Sequence, residues 1–223
     1  IRCPCDNEND YDGIYYVPKT VKKIKAGAFY SSDISSINAD SVESMEEYAF
    51  ENVDRLRTVS LKSVREISDY AFGNAVLLKN VYMSDCLEKV GCFAFQYCKN
   101  LEGMILPDSV KEVGDYAFYN SSIKFFAGGV NATYGESVFS GCSNLSIVQL
   151  GNEMEVLPDN IFSQCTSLNS LYLPESYQAF ELNCFTALSQ NHMTIYGSES
   201  QKDIIENANM HFENKDEHEH DFV

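Results

Sequence analysis

Eight cysteines and four histidines are the residues of this 223-residue chain best suited to chemistry, as nucleophiles, redox pairs or metal ligands. Their spacing argues against all three. The cysteines fall at Cys3, Cys5, Cys86, Cys92, Cys98, Cys142, Cys165 and Cys184. Zinc sites need paired spacing, and a redox motif needs two residues between its cysteines where Cys3-Pro-Cys5 has one. The histidines are His192, His211, His218 and His220, all late in the chain. No GxSxG, HExxH, Walker loop or glycine fingerprint occurs, so neither an enzyme nor a metal or cofactor site is expected. The run DEHEHD around His218 and His220 suits a solvated acidic tail better than a divalent-ion site.

The elements that position these residues are set by a repeat. A small residue followed by Phe recurs as Ala28-Phe29, Ala49-Phe50, Ala71-Phe72, Ala94-Phe95, Ala117-Phe118, Val138-Phe139, Ile161-Phe162 and Cys184-Phe185. The steps between these Phe are 21, 22, 23, 23, 21, 23 and 23 residues. Five residues ahead of each Phe stands a second column: Ile24, Met45, Ile67, Val90, Val113, Tyr134, Leu157 and Phe180. Six residues after it come Leu56, Leu78, Leu101, Leu145 and Leu168, followed by alternating apolar pairs such as Val59 and Leu61 or Val148 and Leu150. That alternation is the period of a strand with one buried face. Proline, which cannot continue a ladder, follows at Pro18, Pro107 and Pro174. A unit this short cannot bury its own apolar face, so the units must stack into a solenoid.

AFQYCKNLEGMILPDSVKEVGDYAF (residues 94–118) and IFSQCTSLNSLYLP (161–174) resemble the BspA-like class of leucine-rich repeat, whose unit reads AFxxCxxLxxIxLPxSVxxIGxxAF. The likeness covers roughly residues 14–196. The repeats at Phe29 and Phe118 depart from it, being one residue short before the strand, with Ile34 and Ile123 in place of Leu and AGGVNATY (127–134) in place of a Pro turn. The expected fold is an α/β repeat solenoid of about eight repeats, with a single curved parallel β-sheet on one side and turns or short helical pieces on the other. The expected organisation is an N-terminal cap or truncated leader over 1–13, the solenoid over 14–197, a C-terminal capping helix over 198–213 and an acidic disordered tail over 214–223. Ile204, Ile205, Ala208 and Phe212 carry the helical spacing of that cap. The resemblance implies a non-catalytic protein-binding module, extracellular or at the cell surface, that adheres to host or matrix proteins.

Cys98, Cys142 and Cys165 each follow their Phe by three, the position where the family carries Cys, and are expected as a buried, reduced stack. Cys184 is expected to be buried too, whereas Cys86 and Cys92 fall in the variable turn of one repeat. No export signal is visible at the start of the chain, and this, with reduced cysteines, keeps an intracellular interaction scaffold as the alternative. With 16 Lys+Arg against 33 Asp+Glu the net charge is -17, which disfavours nucleic acid as a partner. No apolar run is long enough for membrane insertion. Three Asn-x-Ser/Thr sequons, at Asn120, Asn131 and Asn144, are no more than this Asn- and Ser-rich composition produces.

Side chains alternate along a strand, so positions 8 and 10 after each Phe, shifted by one in the short repeats, must face outward if 9 and 11 face the core. Reading down the stack, these columns place Tyr82, Ile105, Phe125, Ile147 and Tyr172 on consecutive strands. Large apolar residues on neighbouring strands make one exposed patch, expected to bind a protein partner with Tyr82, Phe125 and Tyr172 as anchors. A second aromatic run, Tyr48, Tyr70, Phe93 and Tyr116, is too regular for anything but packing on the turn side.

Overall fold

In a computed structural model the chain winds into about eight coils. The structure describes residues 14–180, 183–186, 193–207 and 210–214. Odd-numbered strands form one long-strand face: β1 (Ile14–Tyr16), β3 (Ser36–Asn38), β5 (Thr58–Leu61), β7 (Asn80–Met83), β9 (Gly103–Ile105), β11 (Phe125–Ala127), β13 (Ile147–Gln149), β15 (Ser170–Tyr172) and β17 (Thr194–Gly197). Even-numbered pairs form a second face: β2 (Lys23–Ile24), β4 (Ser44–Met45), β6 (Glu66–Ile67), β8 (Lys89–Val90), β10 (Glu112–Val113), β12 (Thr133–Tyr134), β14 (Val156–Leu157) and β16 (Ala179–Phe180). All described pairings are parallel, as stacked coils of one hand require. The side expected to hold turns and helical pieces is therefore stranded as well. Two-residue strands are too short to show alternation, which is why the sequence does not announce them.

The core follows the columns. Phe50, Phe72, Phe95, Phe118, Phe139 and Phe162 are fully buried, and successive rings stack with centroids 5.2 to 5.7 Å apart. Leu56, Leu78, Leu101, Leu145 and Leu168 are buried between the Phe column and the long strands. The turn holding each Phe is shaped by two left-handed residues. Tyr48, Tyr70, Phe93, Tyr116, Ser137 and Asn160, two before the Phe, have φ between 55 and 58°, and Asn52, Asn74, Tyr97, Asn120 and Gln164, two after it, have φ between 53 and 61°. This costs about 1 kcal/mol or more for a residue with a Cβ, so neighbouring interactions must hold the turn. Main-chain bonds between coils do so: Phe50 N–H donates to the Ala71 carbonyl at 2.8 Å, and Phe72 to Ala94 at 2.8 Å.

The long-strand face is one layer but two hydrogen-bonded ladders. β1-β3-β5-β7 forms one and β9-β11-β13-β15-β17 the other, with no ladder joining β7 to β9 among the described residues. The interruption is confined to that face. Across the same coil boundary β6 pairs with β8, Phe72 bonds to Ala94 and the Phe72 and Phe95 rings stack at 5.3 Å.

At the C-terminal end, a short 3-10 turn (Glu199–Gln201) leads into α1 (Lys202–Asn207) and then β18 (His211–Asn214), which pairs in parallel with β17. The helix expected over 198–213 is thus shorter, and Phe212 belongs to a strand, opposite Ile195. Gln201 anchors the start of this cap. Its buried side-chain amide donates to the carbonyls of Pro174 and Tyr177, at 2.7 and 3.2 Å, fastening the turn to the preceding coil. Cys3, Cys5, His192, His218 and His220, and the segments 1–13 and 215–223, lie outside the described residues, while Asn214, first of the expected tail, ends β18.

Candidate functional site

The outward columns lie where the strand period puts them, including the two short repeats. Phe125 pairs with Gly103 on one side and Ile147 on the other, and Gln149 pairs with Tyr172. Residues between them point inward: Val59, Phe126, Val148 and Leu171 are fully buried. Among the outward side chains Tyr82 and Ile105 are each 55% exposed and Phe125 39%, high values for large apolar groups, while Ile147 and Tyr172 are half-buried.

The five do not form one continuous patch. Tyr82, Ile105, Phe125 and Ile147 gather around the boundary of the two ladders. Tyr172 stands apart, because the residues between it and Ile105 in the same column are Ala127, which is buried, and Gln149, which is polar. Tyr172 is also held by Tyr196 of β17, with ring centroids 4.4 Å apart and planes within 8°. Burial and the neighbouring Tyr196 push its phenol up to about 12. Tyr196 falls 11 residues after Phe185, a core position by the columns, because the last coil has one extra residue before its strand. Tyr16, 57% exposed on β1 opposite Asn38, has no repeat Phe ahead of it to set its register.

Where β7 and β9 part, a groove of about 260 Å³ opens. Val81, Met83, Leu101 and Met104 form its floor, and Gly103, Ile105 and Phe125 its wall. Val81 and Met83 are only half-buried, like Tyr15 in the terminal strand β1 but unlike the inward residues of β3, β5, β9, β11, β13, β15 and β17. The Phe125 ring rests across Gly103, where a Cβ would displace it.

Parallel strands all begin on one side, and the flanking charges segregate in part, with Glu102 before β9 and Lys62 after β5 as exceptions. Arg57, Lys79 and Lys124 immediately precede long strands. Asp40, Asp85, Asp108, Glu153 and Glu175 follow them. Asp40 is engaged: burial would raise its carboxyl, but bonds from Ser60 and Lys62 and the Lys62 charge hold it below the usual range. No cation among the described residues pairs with Asp85, Asp108 or Glu153.

The other candidates resolve as packing. Tyr48, Tyr70, Phe93 and Tyr116 stack in sequence at 4.8 to 5.0 Å along the turn side. Cys98, Cys142, Cys165 and Cys184 are buried thiols, and Cys98, Cys142 and Cys165 donate from Sγ to the carbonyls of Phe72, Phe118 and Phe139 in the preceding coil. Burial raises all three, Cys142 to about 12. Among the described residues no group of His, Cys, Asp and Glu is placed to hold a metal, and no helix is long and apolar enough to cross a membrane.

Stacked parallel coils with a buried Phe-Leu core and a stranded outer face define a leucine-rich-repeat solenoid. The family model described as BspA type leucine rich repeat region matches six times, over residues 22–134 and 128–215. The chain belongs to that family, whose repeats generally serve protein interaction rather than catalysis. A leucine-rich repeat protein of Bacteroides ovatus has the same fold at 19% identity and TM-score 0.55, over 89% of this chain and 70% of that one. A leucine rich cell surface protein of Faecalibacterium prausnitzii (17% identity, TM-score 0.47, 83% and 81% coverage) and a leucine rich repeat protein of T. pallidum (21%, 0.46, 90% and 89%) are also similar. No curated protein matches the sequence.

Proposed function

We propose that the chain is a non-catalytic protein-binding module, secreted or displayed at the cell surface, that adheres to host or matrix proteins through the outward face of its long strands. Tyr82, Ile105, Phe125, Ile147 and Tyr172 are the contact residues. The observation that carries this reading is the clustering of Tyr82, Ile105 and Phe125, all exposed, on a sheet face whose other outward residues are mostly small or polar. Exposed apolar clusters rimmed by polar residues are what protein interfaces are built from. Adhesion and surface display are what the family resemblance adds.

The test is a binding screen of purified protein against matrix and cell-surface proteins, wild type beside Tyr82→Ala/Phe125→Ala. Tyr172 is left intact because its removal would also undo the stack on Tyr196. Saturable binding that falls about tenfold or more in the double variant, at an unchanged melting temperature, is the expected result. Binding that survives the double variant would place the interface elsewhere. A second reading, an intracellular scaffold, is favoured by the exposed thiol of Cys86, since unpaired surface thiols are uncommon in oxidising compartments. Binding to no extracellular protein would turn the search toward it.

A further inference from the structure

Resting on the reading of the long-strand face as the binding surface, we infer that the groove between β7 and β9 takes one large apolar side chain from an extended segment of the partner. Lysines or arginines of that segment lie over the C-terminal ends of the strands. The groove's lining has no polar side chain, so its side chains select an apolar group, and the polar atoms it offers are main-chain groups that suit an extended segment. At about 260 Å³ it falls below the roughly 300–1,000 Å³ of small-molecule sites yet exceeds the roughly 150 Å³ that holds a benzene ring. One Leu, Phe or Trp is the occupant of that size. Ile105 and Phe125, in the wall, remain exposed and supply the ring of contacts that shields such an anchor from water.

Charge sets the direction. Asp85 follows β7 and Asp108 follows β9, at the same end of the groove, and neither has a cationic partner among the described residues. Lys79 precedes β7 at the other end, beside Glu102 at 3.8 Å. A segment with its cations over Asp85 and Asp108 is favoured, since the reversed orientation meets only the already paired Lys79 and Glu102. The net charge of -17 draws such a segment in from a distance.

The experiment is selection of a random peptide display library on the wild-type protein, followed by affinity measurement of one enriched synthetic peptide. The enriched sequences should share one large apolar residue with Lys or Arg to one side. Affinity should fall about tenfold in Gly103→Val, which displaces the Phe125 ring from the groove wall, and severalfold in Asp85→Lys or at high salt. Should Gly103→Val fail to fold, Ile105→Asp serves, placing a carboxylate at the wall. Acidic or anchorless peptides, no enrichment, or unchanged affinity in the folded groove variants would overturn the inference. So would a dimer in solution that Ile105→Asp dissociates, since a second copy would then own the groove. A surface protein lost in Tyr82→Ala/Phe125→Ala but retained in Ile105→Asp would refute the groove and spare the face.

Discussion

The cysteines three residues after a repeat Phe, Cys98, Cys142 and Cys165, have one physical role here, a small apolar side chain whose thiol donates to a carbonyl of the coil before. The Cys142 thiol donates to the Phe118 carbonyl at 3.0 Å and also lies 3.3 Å from the Ser121 hydroxyl. Burial holds these thiols protonated, and the thiolate is the reactive form. In the folded protein at neutral pH, alkylation followed by peptide mass mapping should modify Cys86 first and Cys92 slowly. Cys98, Cys142, Cys165 and Cys184 should react only after denaturant is added, and their rapid labelling in the native state would show the core to be open. The buried cysteine column was legible in the sequence because the repeat register alone decides it. The setting of Tyr172 was not: its outward direction is a matter of strand period, but its partner Tyr196 counts from Phe185 as a core position, because that coil carries one extra residue.

Between residues and molecule stands the coil, whose Phe ring packs face to face with those above and below. Phe95 is fully buried between Phe72 and Phe118, each 5.3 Å away, so Phe95→Ala removes two stacks and leaves a cavity in the middle of the column. A loss of about 3 to 5 kcal/mol in denaturant unfolding is expected, and equal stability of variant and wild type would overturn the packing described. The long strands could be read from alternation, the core from the columns, and the offset of the short repeats from counting. The short strands could not, since two residues have no period, and neither could β18. There His211, Phe212 and Glu213 follow the helix too briefly for either pattern, and Phe212 fits the helical spacing from Ile205 as well as it fits a strand. Gly128 illustrates a further limit. It leaves room for the Tyr134 phenol, which reaches the Gly151 N–H at 3.3 Å across the coil, a contact that no local pattern announces.

Across the whole molecule, charge opposes compaction. Ion pairs run from coil to coil on the short-strand face, Lys22 to Glu43, Arg65 and Lys111 to Glu88, and Lys89 to Glu112, at 2.8 to 3.0 Å. These pairs are largely exposed and contribute little, while the net charge of -17 repels itself over the entire surface. Raising NaCl from about 0.02 to about 0.5 M should therefore raise the melting temperature, because screening relieves more repulsion than it removes attraction. A fall would show that the ion-pair ladder outweighs the net charge. The same stacking decides how the molecule bears a load. Ladder bonds between coils run along the stack, so traction on its two ends strains every coil boundary in series. On the long-strand face the boundary of β7 and β9 has no such bonds to stretch, while β6 and β8 still hold behind it as a pivot. Tension is thus taken up first by widening the groove, before any coil unravels.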